Sequence, residues 1–258
     1  MSRSGYVFSS RPILTGETSM RQLTVDEIER VILSRKDEQH AKELREKLGT
    51  RLQIAGLNRE QHIAVLRELE AKLPDIEEEF SWLNLLQDLW ESNWFEARLL
   101  GLEMLFALPD LVDSHMWGML DHWTNDIDNW ALADWLGHVR AIALKKSPRL
   151  IMRMAPWLQG VEPLRRRSAL VSLVYLQPKT LKPEILLQPL EVFAFVEPVI
   201  EDNHPTVQIA LGWFLRIVGQ EHPQQLADFL EAHKGKLSRI VVEGALGRPA
   251  SPTIAEAF

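Results

Sequence analysis

The stretch Trp130-Ala131-Leu132-Ala133-Asp134-Trp135-Leu136-Gly137-His138-Val139-Arg140-Ala141-Ile142-Ala143-Leu144, followed by Lys145-Lys146-Ser147-Pro148-Arg149-Leu150, decides the fold. Its first part reads as one helix, Trp130–Leu144, with apolar residues recurring at helical spacing. Pro148 then opens a partner helix, because a proline in the first helical turn lacks only an amide that would be unpaired there anyway. The same punctuation recurs three times. Ala107-Leu108-Pro109-Asp110-Leu111 follows a helix at Ala97–Phe106, Leu181-Lys182-Pro183-Glu184-Ile185 follows Arg166–Leu176, and Glu221-His222-Pro223-Gln224-Gln225 follows Val207–Val218. The four prolines are spaced 39, 35 and 40 residues apart.

Helix pairs at a period of roughly 35–45 residues point to an all-α, HEAT-like helical-repeat superhelix. One pair cannot bury its apolar face alone, so neighbours stack, and the concave face of the stack is the expected binding surface. An irregular helical bundle is the alternative. Other helix starts agree: Thr24 and Glu27 form a capping box flanked by a Leu23–Ile28 staple. Asn58 with Gln61 opens a helix through Leu73, and Pro74-Asp75 opens the next, toward Trp90. No alternating strand pattern and no Asn-Gly or Asp-Gly hairpin turn interrupts them. The expected organisation is a loose arm over residues 1–22, a single repeat domain over 23–247 and a tail over 248–258.

With 46% hydrophobic and 25% charged residues the chain can bury a core. It has no cysteine, which excludes a disulfide framework and fits a reducing compartment, the cytoplasm. No segment is apolar over the length needed to span a bilayer, and the first 22 residues lack the continuous apolar run of a signal peptide. Walker A, G-x-S-x-G and H-E-x-x-H motifs are absent. The eight histidines are scattered, with no two at three- or four-residue spacing, so no metal is expected. Glu77-Glu78-Glu79 reads as a solvated helical face. The net charge of −7 hides an asymmetry: Trp135 to Lys182 carries ten basic residues against the single acid Glu162, net +9, leaving −16 elsewhere. A concentrated basic segment suits a phosphate-binding surface; a solvated Lys/Arg-rich face is the alternative.

Several segments together resemble the AlkD-type DNA alkylation repair glycosylases, which use HEAT-like repeats. The resemblance begins at Ala41-Lys42-Glu43-Leu44 and Gly56-Leu57-Asn58-Arg59-Glu60, continues through Leu89-Trp90-Glu91 and Leu102-Glu103, and is strongest from Asn129 to Pro223. Three motifs carry it. Asp128-Asn129-Trp130-Ala131-Leu132-Ala133-Asp134 matches a Trp and an Asp four residues apart. Arg165-Arg166-Arg167-Ser168-Ala169-Leu170 places Arg167 at the functional arginine. Ile209-Ala210-Leu211-Gly212-Trp213-Phe214-Leu215-Arg216 places Trp213 at the second aromatic position. The chain departs from the pattern at Asn129, at Pro205-Thr206, at Ile209, and in the added acids Asp126 and Asp128.

The resemblance implies a glycosylase that excises cationic N3- or N7-alkylated purines from duplex DNA without flipping the base. Its implied catalytic set is Asp134, Trp130, Trp213 and Arg167. The chemistry of those residue types agrees. An N-alkylated purine is already a good leaving group, so a carboxylate is needed mainly to stabilise the oxocarbenium-like sugar and orient water. Residues four apart share a helix face, so Trp130 and Asp134 can enter one site. Trp130 and Trp213 can contact the cationic base. Arg167 can hold a phosphate, with Arg165, Arg166, Lys145, Lys146, Arg149 and Arg216 binding the backbone more distributively. No cofactor is expected; the partner is alkylated duplex DNA and the enzyme a monomer. The rival reading is a non-catalytic HEAT-like module that binds DNA or protein. In it the tryptophans are core, Asp134 is a surface acid or a helix-end partner and Arg167 bridges to a neighbouring repeat.

Overall fold

Thr24 caps the first helix of the computed structural model, which describes residues 23–75, 78–176 and 189–247. The arm 1–22, the tail 248–258, Glu77, Lys179, Lys182 and the turn at Pro183 lie outside the described residues. Those described are helical throughout, with no β-strand among them and one isolated bridge between Gln53 and Trp94. Among the described residues no helix is long and apolar enough to cross a membrane. The chain divides into two compact units that meet in sequence at Leu111 and Val112.

The first unit holds α1 (Val25–Leu33), α2 (Glu38–Leu48), α3 (Arg59–Leu69), α4 (Glu79–Glu91) and α5 (Phe95–Ala107). The anticipated capping box of Thr24 with Glu27 forms, and the helix start expected at Asn58 is also a capping box, with Gln61. Leu23 and Ile28 are buried beside the first. The segment between α2 and α3 is pinned by Glu96 on α5, whose carboxylate accepts the amides of Ala55 at 2.9 Å and Gly56 at 2.7 Å. Gly56 is required there: its φ is +86°, and a Cβ would lie 2.2 Å from the Asp37 carbonyl oxygen.

The second unit holds α6 (Trp117–Trp123), α7 (Trp130–Lys146), α8 (Ala155–Leu158), α9 (Pro163–Leu176), α10 (Pro189–Val196), α11 (Pro205–Glu221), α12 (Pro223–Ala232) and α13 (Arg239–Ala245). Helix α7 packs on α9, α9 on α11 and α11 on α13. Glycines set two of these approaches. A Cβ on Gly137 of α7 would stand 2.9 Å from the Ser168 carbonyl oxygen of α9, and one on Gly212 of α11 would stand 3.2 Å from the Gly244 Cα of α13. Hydrogen bonds add to the α7–α9 contact: Ser168 Oγ donates to the Ala133 carbonyl at 2.6 Å. Arg140, fully buried, donates to Thr124, Ser168 and Ser172. Its guanidinium lies 4.8 Å from the Trp157 ring centroid.

The prolines behave in two ways. Pro223 opens α12 as the spacing predicts. Pro109 and Pro148 instead open short 3₁₀ turns, Pro109–Leu111 and Pro148–Arg153, where partner α-helices were expected. Two local features explain the difference. Asp113 Oδ1 accepts the amides of His115 at 2.8 Å and Met116 at 3.2 Å, turning the chain after Leu111. Pro156 lacks the amide a helix continued from Pro148 would use, so the segment restarts as α8.

Candidate active site

Helix α7 begins at the site. Asn129 is its N-cap, accepting the Leu132 amide at 3.0 Å, which puts Trp130 in the first helical position and Asp134 one turn on. Asp134 faces α9 and is fully buried. Arg167 meets it as a fork, Nε to Oδ1 and Nη2 to Oδ2, each at 2.6 Å. The third nitrogen, Nη1, donates to the Thr206 carbonyl at 3.0 Å and to Thr206 Oγ1 at 3.3 Å, in the first turn of α11. The guanidinium carbon lies 5.6 Å from the Trp130 ring centroid. One arginine, 4% exposed, thus ties α7, α9 and α11 together at a single carboxylate.

Burial pushes the Asp134 carboxyl above the usual aspartate range, and the charge and hydrogen bonds of Arg167 oppose that rise. The fork occupies one side of each oxygen; a carboxylate offers about four lone-pair sites, so acceptor capacity is left for a water. A dehydrated carboxylate also attracts a developing cation more strongly than a hydrated one.

Trp213 joins through an aromatic row. On α7, Trp135 lies 5.9 Å from His138; His138 stacks on Tyr175 of α9 at 3.7 Å and 12°; Tyr175 meets Trp213 of α11 edge-on at 5.6 Å and 83°. Burial and nearby Lys145 pull the His138 pKa down to about 3, so its ring is neutral at physiological pH. Burial, then the Asp134 charge, pushes the Tyr175 phenol well above its ordinary value, so it keeps its proton. Arg167 thus contacts both Asp134 and Trp130, while Trp213, on the helix packed next to α9, contacts Tyr175.

The basic segment divides. Arg165 donates to Asn125 at 2.7 Å and Asp121 at 3.2 Å, and its guanidinium lies 5.0 Å from the Trp157 centroid. Arg166 forks onto Asp202, at 2.5 and 3.3 Å, and caps the Gly160 carbonyl at 2.7 Å. With Arg140 in the core and Arg167 on Asp134, four of the segment's arginines have partners within the protein. The expected phosphate ligands Arg165 and Arg166 are thus engaged with carboxylates. Lys146 and Arg149 are exposed, and Lys145 and Arg216 are half-buried. Arg216 sits one turn beyond Trp213, and its Nε is buried with no hydrogen-bond partner among the described residues.

Sequence reasoning missed Tyr175, His138 and Thr206 as members of the site. Two of them carried a signal: His138 stands four residues after Asp134 and Tyr175 eight after Arg167, spacings that return to nearly the same helix face. Among the described residues no group of histidines and acids is arranged to hold a metal ion.

Comparisons with known proteins bear on the family and on the fold. A family model described as "DNA alkylation repair enzyme" matches residues 28–248. A search of curated proteins finds no match. Among solved structures, a predicted DNA alkylation repair enzyme from Enterococcus faecalis superposes with a TM-score of 0.67 at 12% identity, covering 84% of this chain and 98% of that one. At that identity the likeness speaks for the all-helical repeat fold.

Proposed function

Because the chain belongs to the DNA alkylation repair enzyme family, we propose that it is a monofunctional DNA glycosylase acting on cationic alkylated purines of the 3-methyladenine and 7-methylguanine type. Water attacks C1′ of the damaged nucleotide as the C1′–N bond breaks. The bonding pair leaves with the purine and cancels its positive charge, and the water proton passes to solvent, leaving an abasic site. Asp134 stabilises the sugar cation and orients the water. Trp130 and Trp213 flank the lesion and favour its charge by cation–π attraction. Arg167 holds Asp134 in place, and Lys145, Lys146, Arg149 and Arg216 face the phosphates. The lesion is read on the duplex without a tight base pocket, which makes charge rather than size the selective property. The enzyme acts as a monomer in the cytoplasm.

The observation that carries this reading is the buried Asp134–Arg167 fork set against Trp130. A buried ion pair adds little net stability compared with apolar residues of equal volume, so its presence beside aromatic side chains is better explained by chemistry than by folding. The test is release of methylated purines from alkylated duplex DNA by wild type and Asp134→Asn. Release by wild type alone supports the assignment.

A second reading has one observation in its favour. Asp134 is 0% exposed with both oxygens taken by Arg167, the arrangement of a structural bridge between repeats. On that reading the chain is a helical-repeat module that binds damaged DNA without excision. Tight, salt-sensitive binding with no base release from either protein would favour it.

A further inference from the structure

Tyr175 occupies a place that neither the family motifs nor the chemistry above assigns. Its ring meets aromatic groups from two other helices: His138, stacked at 3.7 Å, and Trp213, in a T-shaped contact at 5.6 Å. A parallel stack on one side and a T-shaped contact on the other fix a ring in both tilt and position. The hydroxyl makes no hydrogen bond to any of the described residues, so the ring alone carries the contact. Trp213 is half-buried on α11 and meets this ring from α9.

We propose that Tyr175 is a positioning residue for Trp213, backed by His138, and that it sets where the indole stands at the Asp134 site; the proposal rests on the glycosylase reading. A T-shaped pair leaves at least one indole face unobstructed by Tyr175, as a cationic base would need. The backing ring is suited to this use. A protonated imidazole at His138 would put a second positive charge behind the wall that receives a cationic lesion, whereas this imidazole stays neutral.

The experiment uses the full chain with Tyr175→Phe and Tyr175→Leu, each checked for wild-type helicity and melting. The first readout needs no activity. The indole N–H resonance of Trp213, assigned among the nine tryptophans by its loss in Trp213→Phe, should move and broaden in Tyr175→Leu and stay near its wild-type position in Tyr175→Phe. The second is single-turnover excision of methylated purines. Tyr175→Leu should fall about tenfold with DNA affinity retained, and Tyr175→Phe should stay within about twofold of wild type. In a Trp213→Ala background, Tyr175→Leu should cost little more, because the positioned group is already gone. An unmoved Trp213 resonance in Tyr175→Leu overturns the proposal. So does a Phe variant as impaired as the Leu variant, since the hydroxyl would then be what matters. If wild type excises nothing, the glycosylase reading fails, and the resonance still decides whether Tyr175 places Trp213.

Discussion

Replacing Asp134 by Asn keeps the side-chain shape and removes the charge, which separates chemistry from packing. In wild type, Arg167 is 4% exposed and directs two of its nitrogens at that carboxylate. Removing one partner of a buried pair costs about 3–5 kcal/mol, because the remaining charge is left uncompensated. The low end applies here. Asn retains one oxygen for Arg167, Thr206 still accepts from Nη1, and Trp130 still faces the guanidinium. A loss of about 3 kcal/mol lowers the melting temperature of a chain this size by about 6–12 °C. The rate falls more. Losing an electrostatic stabiliser from a buried site costs about 10²–10³-fold. The assay is single-turnover release of methylated purines from alkylated duplex, run well below the variant's melting temperature so that unfolding does not enter. DNA affinity is measured alongside and should hold. The wild-type profile should also lose activity on acidification at a pH above the ordinary aspartate range, because burial raises the Asp134 pKa and catalysis needs the carboxylate ionised. A variant that excises at the wild-type rate would refute the role given to Asp134 outright. An activity loss that disappears once folded fractions are matched would reduce the fork to a structural bridge.

Gly137→Ala should lower stability by about 1–3 kcal/mol, visible as a lower melting temperature, because the added methyl meets the α9 backbone at Ser168. Excision should fall with it, since the same approach brings Asp134 to Arg167. His138 gives a pH signature of the opposite origin. Its folded pKa, about 3, lies below the unfolded value near 6.5, so the unfolded chain binds the extra proton. The stabilisation is fully present above about pH 6.5 and is lost progressively as pH falls toward about 3. Urea midpoints at pH 7 and pH 5 should therefore differ less in His138→Phe than in wild type. Glu substitution at the exposed Lys146 and Arg149 should weaken DNA binding and reduce its salt slope by about one for each phosphate no longer neutralised, with excision at saturating enzyme unchanged. Unchanged slopes would move the phosphate surface elsewhere.

The features legible in the sequence and those hidden from it differ in the range of the interactions involved. Helix starts at Thr24 and Asn58 are set by side chains three residues apart, so they were legible. Trp130 and Asp134 shared a face for the same local reason. Pro109, Pro148 and Pro223 mark the ends of long helices, but the conformation beyond the first two depends on further residues: Asp113 after Pro109 and Pro156 after Pro148. The basic segment was the harder case. Three of its arginines, Arg165, Arg166 and Arg167, are paired with Asp121, Asp202 and Asp134, none of them recognisable as partners from position in the chain, so a count along it overstates the charge left for phosphates. Which acid meets which arginine depends on the register between helices, fixed here by close approaches such as Gly137 on Ser168 and not by any local pattern. The same register brings Tyr175 between His138 and Trp213. A constellation assembled across α7, α9 and α11 is thus sensitive to helix spacing throughout. Substitutions at small residues in these contacts should impair excision as specifically as substitutions among the residues that face the lesion.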